Sequence, residues 1–119
     1  MEEPAARLSK IFYPAVDLGA LLAFYQDALG LSVKFRDGDR YAEFHRQEVS
    51  LALTAGGEAV TDRPAIGISV PDLEAALAAV LRAGGAVVGP VTEGPHELRA
   101  VVRDPAGNQL VVFSPLPRP

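Results

Sequence analysis

A chain of 119 residues that is 49% hydrophobic is long enough to bury one core and too short for two independent domains. Its net charge of -4, with 11 basic residues scattered among 15 acidic ones, leaves no basic stripe for nucleic acid, and the absence of cysteine excludes disulfides, thiolate metal sites, iron–sulfur clusters and cysteine nucleophiles. No apolar run approaches a bilayer span, and Met1-Glu2-Glu3-Pro4 lacks the basic and apolar segments of a signal peptide, so a soluble cytoplasmic protein without a membrane partner is expected.

In chain order, Leu8 to Val16 reads as a short strand ending at Asp17, whose carboxylate can cap a helix. Apolar residues at 18, 21, 22, 25 and 29 then follow helical spacing, and Gly30 stops the helix. Leu31 to Arg36, Tyr41 to Arg46 and Val49 to Thr54 read as three strands, the first two joined by a turn at Asp37-Gly38-Asp39. A linker rich in Gly and small residues runs from Ala55 to Pro64. Beyond it the order repeats: strand Ala65 to Val70, cap Asp72, helix Leu73 to Arg82 stopped by Gly84-Gly85, and strands Ala86 to Val91, Leu98 to Arg103 and Gln109 to Phe113. Between the last two, Asp104-Pro105-Ala106-Gly107-Asn108 is hairpin chemistry, and the proline-rich tail from Ser114 to Pro119 should be irregular.

Gly30 lies thirteen positions after Asp17 and Gly85 thirteen after Asp72, and the two capping aspartates lie 55 positions apart. The repeat predicts an α+β fold of two βαβββ modules within one domain, residues 1–119. Module one covers about 8–55, the linker about 56–64 and module two about 65–114.

Val16-Asp17, Ala23-Phe24-Tyr25 and Leu29-Gly30-Leu31 in the first half, Val70-Pro71-Asp72-Leu73 with Gly84-Gly85 in the second, and the Asp104 to Asn108 hairpin resemble the vicinal oxygen chelate superfamily in order and spacing. That superfamily comprises glyoxalases, extradiol dioxygenases and bleomycin-resistance proteins. Ala15 stands where its first helix motif more often has Val. The resemblance covers nearly the whole chain and implies cupped mixed sheets with one helix each, a small-molecule cleft and a homodimer. In metal-dependent members it also implies a 2-His-1-carboxylate or related site that leaves positions open for substrate oxygens.

Carried over one at a time, those ligand positions fall on Lys10, Ala65, Val111 and, by a looser count, the neighbourhood of Ala52. Lys repels a cation, and Ala and Val offer no lone pair. No metal, cofactor or catalytic residue is therefore expected. His45 and His96 fall in different modules. A His45–Glu43 pair on one strand face is geometrically open, and a solvated polar face explains Tyr41, Glu43 and His45 equally well. Ser50, Ser69 and Thr54 lack the context of a nucleophile with its base, and the double glycines lack the Lys-Ser/Thr of a phosphate loop. Phe24-Tyr25 reads as core packing.

The resemblance implies that the carried-over ligand positions mark the cleft side, and strand alternation then directs Phe12, Gly67, Ser69, Arg99, Val101, Arg103, Gln109, Val111 and Phe113 toward it. The expected ligand-binding residues are Phe12, Glu43, His45, Ser69, Arg99, Val111 and Phe113; packing of the same residues against a second subunit is the competing reading. The function expected is metal-independent binding of a small organic or drug-like molecule in clefts of a homodimer, similar to bleomycin-resistance proteins. The alternative is a lyase or dioxygenase-type enzyme of the same superfamily with a non-standard site, in which Glu43 or His45 could serve as base.

Overall fold

Two aspartates set the frame of each half. In the computed structural model, which describes residues 6–46 and 48–117, the Asp17 carboxylate accepts from the Ala20 N–H at 3.0 Å and opens helix α1 (Leu18–Leu29). Asp72 accepts from the Ala75 N–H at 3.1 Å and opens α2 (Leu73–Arg82). Each carboxylate satisfies a donor that the first helical turn leaves without a partner. Gly30, at φ 72°, closes α1 by donating its N–H to the Gln26 carbonyl at 3.0 Å, while Leu31 donates to Tyr25 at 3.1 Å. Asp17→Ala is expected to lower unfolding free energy by about 1 kcal/mol. Urea unfolding checks it, with Asp17→Asn close to wild type.

Packing divides the chain into two compact units, residues 9–65 and residues 66–117, with residues 6–8 grouping with the latter. In the first, strands β1 (Arg7–Pro14), β2 (Val33–Asp37), β3 (Tyr41–Phe44) and β4 (Ser50–Thr54) lie in the order β2-β3-β4-β1. β1 runs parallel to β4 and the other pairs are antiparallel. In the second, β5 (Ala65–Ser69), β6 (Ala86–Val87), β7 (Thr92–Glu93), β8 (Glu97–Arg103) and β9 (Gln109–Pro115) lie in the order β5-β9-β8-β6, with β7 also on β8. Here β5 and β9 are parallel and the rest antiparallel. The same mixed order, with the module's first strand beside its last, appears in both halves. The fold is thus α+β with two βαβββ modules.

Each helix covers one face of its own sheet. Leu18 and Leu22 of α1 pack on Ala42, Phe44, Leu53 and Ala55, with the Tyr25 ring meeting the Tyr13 and Phe44 rings at 6.5 and 5.8 Å. Phe24 does not join them: it is exposed on the helix and meets only Tyr25 edge-on among the described ring pairs. In module two, Leu73 of α2 packs on Val70, Ala100, Val102 and Val112.

Beyond shifts of one or two residues at several strand ends, the structure departs from the sequence reading in these places. Of the strand expected over Ala86 to Val91 only Ala86–Val87 forms, because Pro90 has no N–H for the ladder and Gly89 precedes it, and a second short piece, Thr92–Glu93, begins beyond the expected end. β9 extends to Pro115, where Ser114 pairs with Leu98 and Pro115 with Glu97. β3 stops at Phe44, so His45 and Arg46 lie beyond it. The linker contains a short 3-10 turn, Gly56–Glu58. The expectations for Met1 to Pro4 and for Arg118 and Pro119 lie outside the described residues. No helix among the described residues is long and apolar enough to cross a membrane.

The β8–β9 hairpin is closed as its composition requires. Asp104 Oδ1 accepts from the N–H groups of Ala106 and Asn108, both at 2.9 Å, and Oδ2 accepts from Asn108 Nδ2 at 2.9 Å. The Asn108 side chain and backbone hold the Asp104 carboxyl below the usual carboxylate range. Gly107 takes the left-handed φ of 89° that lets its N–H reach the Asp104 carbonyl at 2.9 Å.

Candidate functional site

Because alternate residues of a strand point to opposite faces, the register that gives α1 its apolar face also fixes what lies on the other side. β4 supplies Ser50, Ala52 and Thr54, opposite Lys10, Phe12 and Pro14 on β1. On its other edge Thr54 pairs with Tyr41 and Ala52 with Glu43. Phe12, Ala52 and Glu43 therefore form one row across the sheet, and Glu43 continues it to Phe35 on β2.

Glu43 anchors a polar network on this face. Its Oε1 accepts from the Tyr41 hydroxyl at 2.5 Å and lies 3.0 Å from the Lys10 ammonium, which also donates to the Tyr41 hydroxyl at 3.1 Å. Its Oε2 faces the Lys34 ammonium at 3.9 Å. Lys10 also lies 5.7 Å from the centre of the Tyr41 ring. Burial, the largest single influence, raises the Glu43 pKa. The hydrogen bonds from Tyr41 and Lys10 and the charges of Lys10 and Lys34 together outweigh it and hold the carboxyl below its ordinary value. Glu43 is consequently ionised at neutral pH although its side chain is only 10% exposed.

Of the two readings left open for Tyr41, Glu43 and His45, the solvated face fails at Glu43 and holds at His45. Glu43 is buried, and the Lys10 charge compensates for the water it has lost. His45 is exposed beyond the end of β3, its backbone N–H bonded to the Ser32 carbonyl at 2.9 Å. Sequence reasoning marked Lys10 only as a cation where a ligand would stand. It passed over Tyr41 and Lys34 as members of a site, although the Tyr41/Glu43 alternation was a visible signal.

In module two the face opposite α2 carries Ser69, Phe113 and Arg99 in one row, and Gly67, Val111 and Val101 in the next. Val111 is buried, while Ser69, Phe113 and Arg99 are partly covered. Arg99 Nη1 lies 3.6 Å from Glu97 Oε1, and its Nε donates to Thr92 Oγ1 at 3.4 Å. Gly94 sits under this pair; a Cβ there would come within 2.6 Å of Glu97 Oε1. Among the described residues no three His, Asp or Glu side chains cluster as a metal-binding group.

Comparison with known proteins agrees with the architecture. The family model for a glyoxalase-like domain matches residues 10–113. An uncharacterized protein of Mycolicibacterium smegmatis is 39% identical over 103 residues, 86% of this chain and 88% of that protein. A glyoxalase/bleomycin resistance protein/dioxygenase superfamily member from Vibrio splendidus is similar in structure, with a TM-score of 0.66 at 15% identity over 92% of this chain and 98% of its own. Methylmalonyl-CoA epimerase from Mycobacterium tuberculosis gives a TM-score of 0.64 at 17% identity, over 92% of this chain and 88% of its own. At these identities the structural likeness speaks for the fold alone.

Proposed function

The chain belongs to the glyoxalase-like domain family, and from that premise we propose that it acts as one cytoplasmic domain that binds a small organic or drug-like molecule without a metal, in clefts of a homodimer. Phe12 and Glu43, with His45 at the margin, are the proposed lining in the first unit, and Ser69, Arg99, Val111 and Phe113 the proposed lining in the second. The observation that carries the reading is the Lys10 ammonium, 3.0 Å from Glu43 Oε1. A fixed cation there opposes a divalent ion by direct repulsion and supplies the positive charge that the carboxylate needs. Phe12 in the same row as Glu43 adds apolar area, and a largely apolar surface with few polar groups suits an organic ligand.

The enzymatic alternative would make Glu43 a base. Its bonds to Tyr41 and Lys10 favour the ionised form and so weaken its pull on a proton, which supports binding over proton abstraction. Exposed Phe24 and Leu29 on or at the end of α1 are apolar surface that a second copy could cover.

Protein purified without chelators should carry no stoichiometric divalent ion by elemental analysis, and its melting temperature should rise with members of a screen of planar aromatic drugs, catechols and small thiol adducts. A stoichiometric metal whose removal abolishes ligand binding would overturn the metal-free reading. A monomer by light scattering at micromolar concentration would overturn the shared clefts.

A further inference from the structure

The turn of β2 past Glu43 contains a feature that alternation alone does not give. Val33 pairs with Phe44 and Phe35 pairs with Glu43, so two steps along β2 match one step along β3 and Lys34 is the extra residue of a β-bulge. In a regular strand Val33 and Phe35 would share a face. The bulge instead leaves Val33 packed on the α1 core and sets Phe35 beside Tyr41, with ring centroids 6.1 Å apart. The Lys34 ammonium comes to the same carboxylate at 3.9 Å.

We propose that Lys34 and Phe35 are the specificity-determining edge of this site and select a small aromatic carboxylate, the ammonium taking the anionic group and the ring taking the aryl group. The inference rests on the reading that this sheet face binds an organic molecule. It names that molecule's class.

The charges argue for an anion over a cation. Glu43 is the carboxylate of the network, and each of its oxygens already faces an ammonium. A cationic ligand would have to displace one of them. Lys34 differs from Lys10 in two respects: its side chain is 54% exposed against 27%, and 3.9 Å is beyond hydrogen-bond reach of Glu43. Its side chain is open to solvent, so a ligand carboxylate can reach the ammonium without breaking a buried bond. The neighbouring β2–β3 cations are engaged with hairpin acids: Arg36 with Asp39 at 3.3 Å and Arg40 with Asp37 at 2.8 Å. Phe35 is 49% exposed, an aromatic surface next to a charge, which is the arrangement an aryl carboxylate fits.

The test is titration of the full chain with benzoate and phenylacetate, and with their uncharged amides, followed by amide and aromatic NMR shifts in the presence of a chelator. The wild type should bind the acids at least tenfold more tightly than the amides. Lys34→Met should weaken the acids at least fivefold and leave the amides unchanged, and Lys34→Arg should restore most of the difference. Lys34 is exposed, so the fold survives these changes, which circular dichroism verifies. Equal affinity for acids and amides, or acid binding indifferent to Lys34→Met, would overturn the anion inference and leave the small-molecule reading standing. Absence of binding by these compounds together with the drug and thiol-adduct screen would overturn both.

Discussion

Leu53→Ala is expected to cost about 2–5 kcal/mol of unfolding free energy, a large share of what a domain of this size possesses. Leu53 is fully buried in module one, the central contact between the β4 strand and the α1 leucines. Removing its outer carbons forfeits their transfer free energy and leaves a cavity that Ala42, Phe44 and Leu22 can fill only by shifting. Val102, buried in the corresponding core of module two, offers the comparison. Val102→Ala removes fewer carbons and should cost about 1.6 kcal/mol before the cavity term, at about 0.8 kcal/mol per buried methylene. Urea midpoints of the two variants at unchanged slope provide the check. Hydrogen exchange should show the Leu53 variant losing protection in β3 and β4. A Leu53→Ala loss below 1 kcal/mol would mean that α1 does not depend on this contact.

The two helices and the hairpin were legible in the sequence because short-range chemistry decides them. Asp17, Asp72 and the Asp104 to Asn108 turn act through side chains within a few residues of themselves, and Gly30 acts through the left-handed φ that its missing Cβ permits. That Ser69, Arg99, Val111 and Phe113 share the sheet face opposite α2 was legible from strand alternation, since they alternate with the residues that α2 covers. Strand ends were less so. Ser114 and Pro115 look like the start of a tail until Leu98 and Glu97 are placed opposite them, and that partner lies well away in sequence.

The network around Glu43 was only half visible. Lys10 and Glu43 are thirty-odd positions apart, and nothing local announces that β1 and β3 flank the same strand. The Lys34 bulge is less visible still: one extra residue in β2 changes which side its neighbours face, and a period-2 reading has no means of locating it. A solvated Glu43 stayed open in the sequence for that reason, because a carboxylate between Ala42 and Phe44 can be buried only when distant cations compensate.

That compensation predicts the second large effect. Lys10→Met should destabilise the protein by about 2–3 kcal/mol at pH 7, because it leaves a mostly buried carboxylate without its nearest cation; partial exposure of both lysines keeps the figure below that of a fully buried pair. The pH dependence distinguishes this from simple loss of packing. In the wild type the folded pKa of Glu43 lies below the ordinary 4.5, so its contribution is fully present above that value and is lost as pH falls through the lowered pKa. In Lys10→Met, burial outlasts two of the influences that oppose it, the hydrogen bond and the charge of Lys10. The carboxyl then titrates higher, and protonation relieves the variant. The stability gap between wild type and variant should therefore narrow steadily below pH 5 in urea titrations. The double variant Lys10→Met/Glu43→Gln should be more stable at pH 7 than Lys10→Met alone, since it removes the stranded charge. A gap that stays constant from pH 7 to pH 4, with no recovery in the double variant, would mean that Lys10 acts through its hydrocarbon stem and that Glu43 is not held by charge.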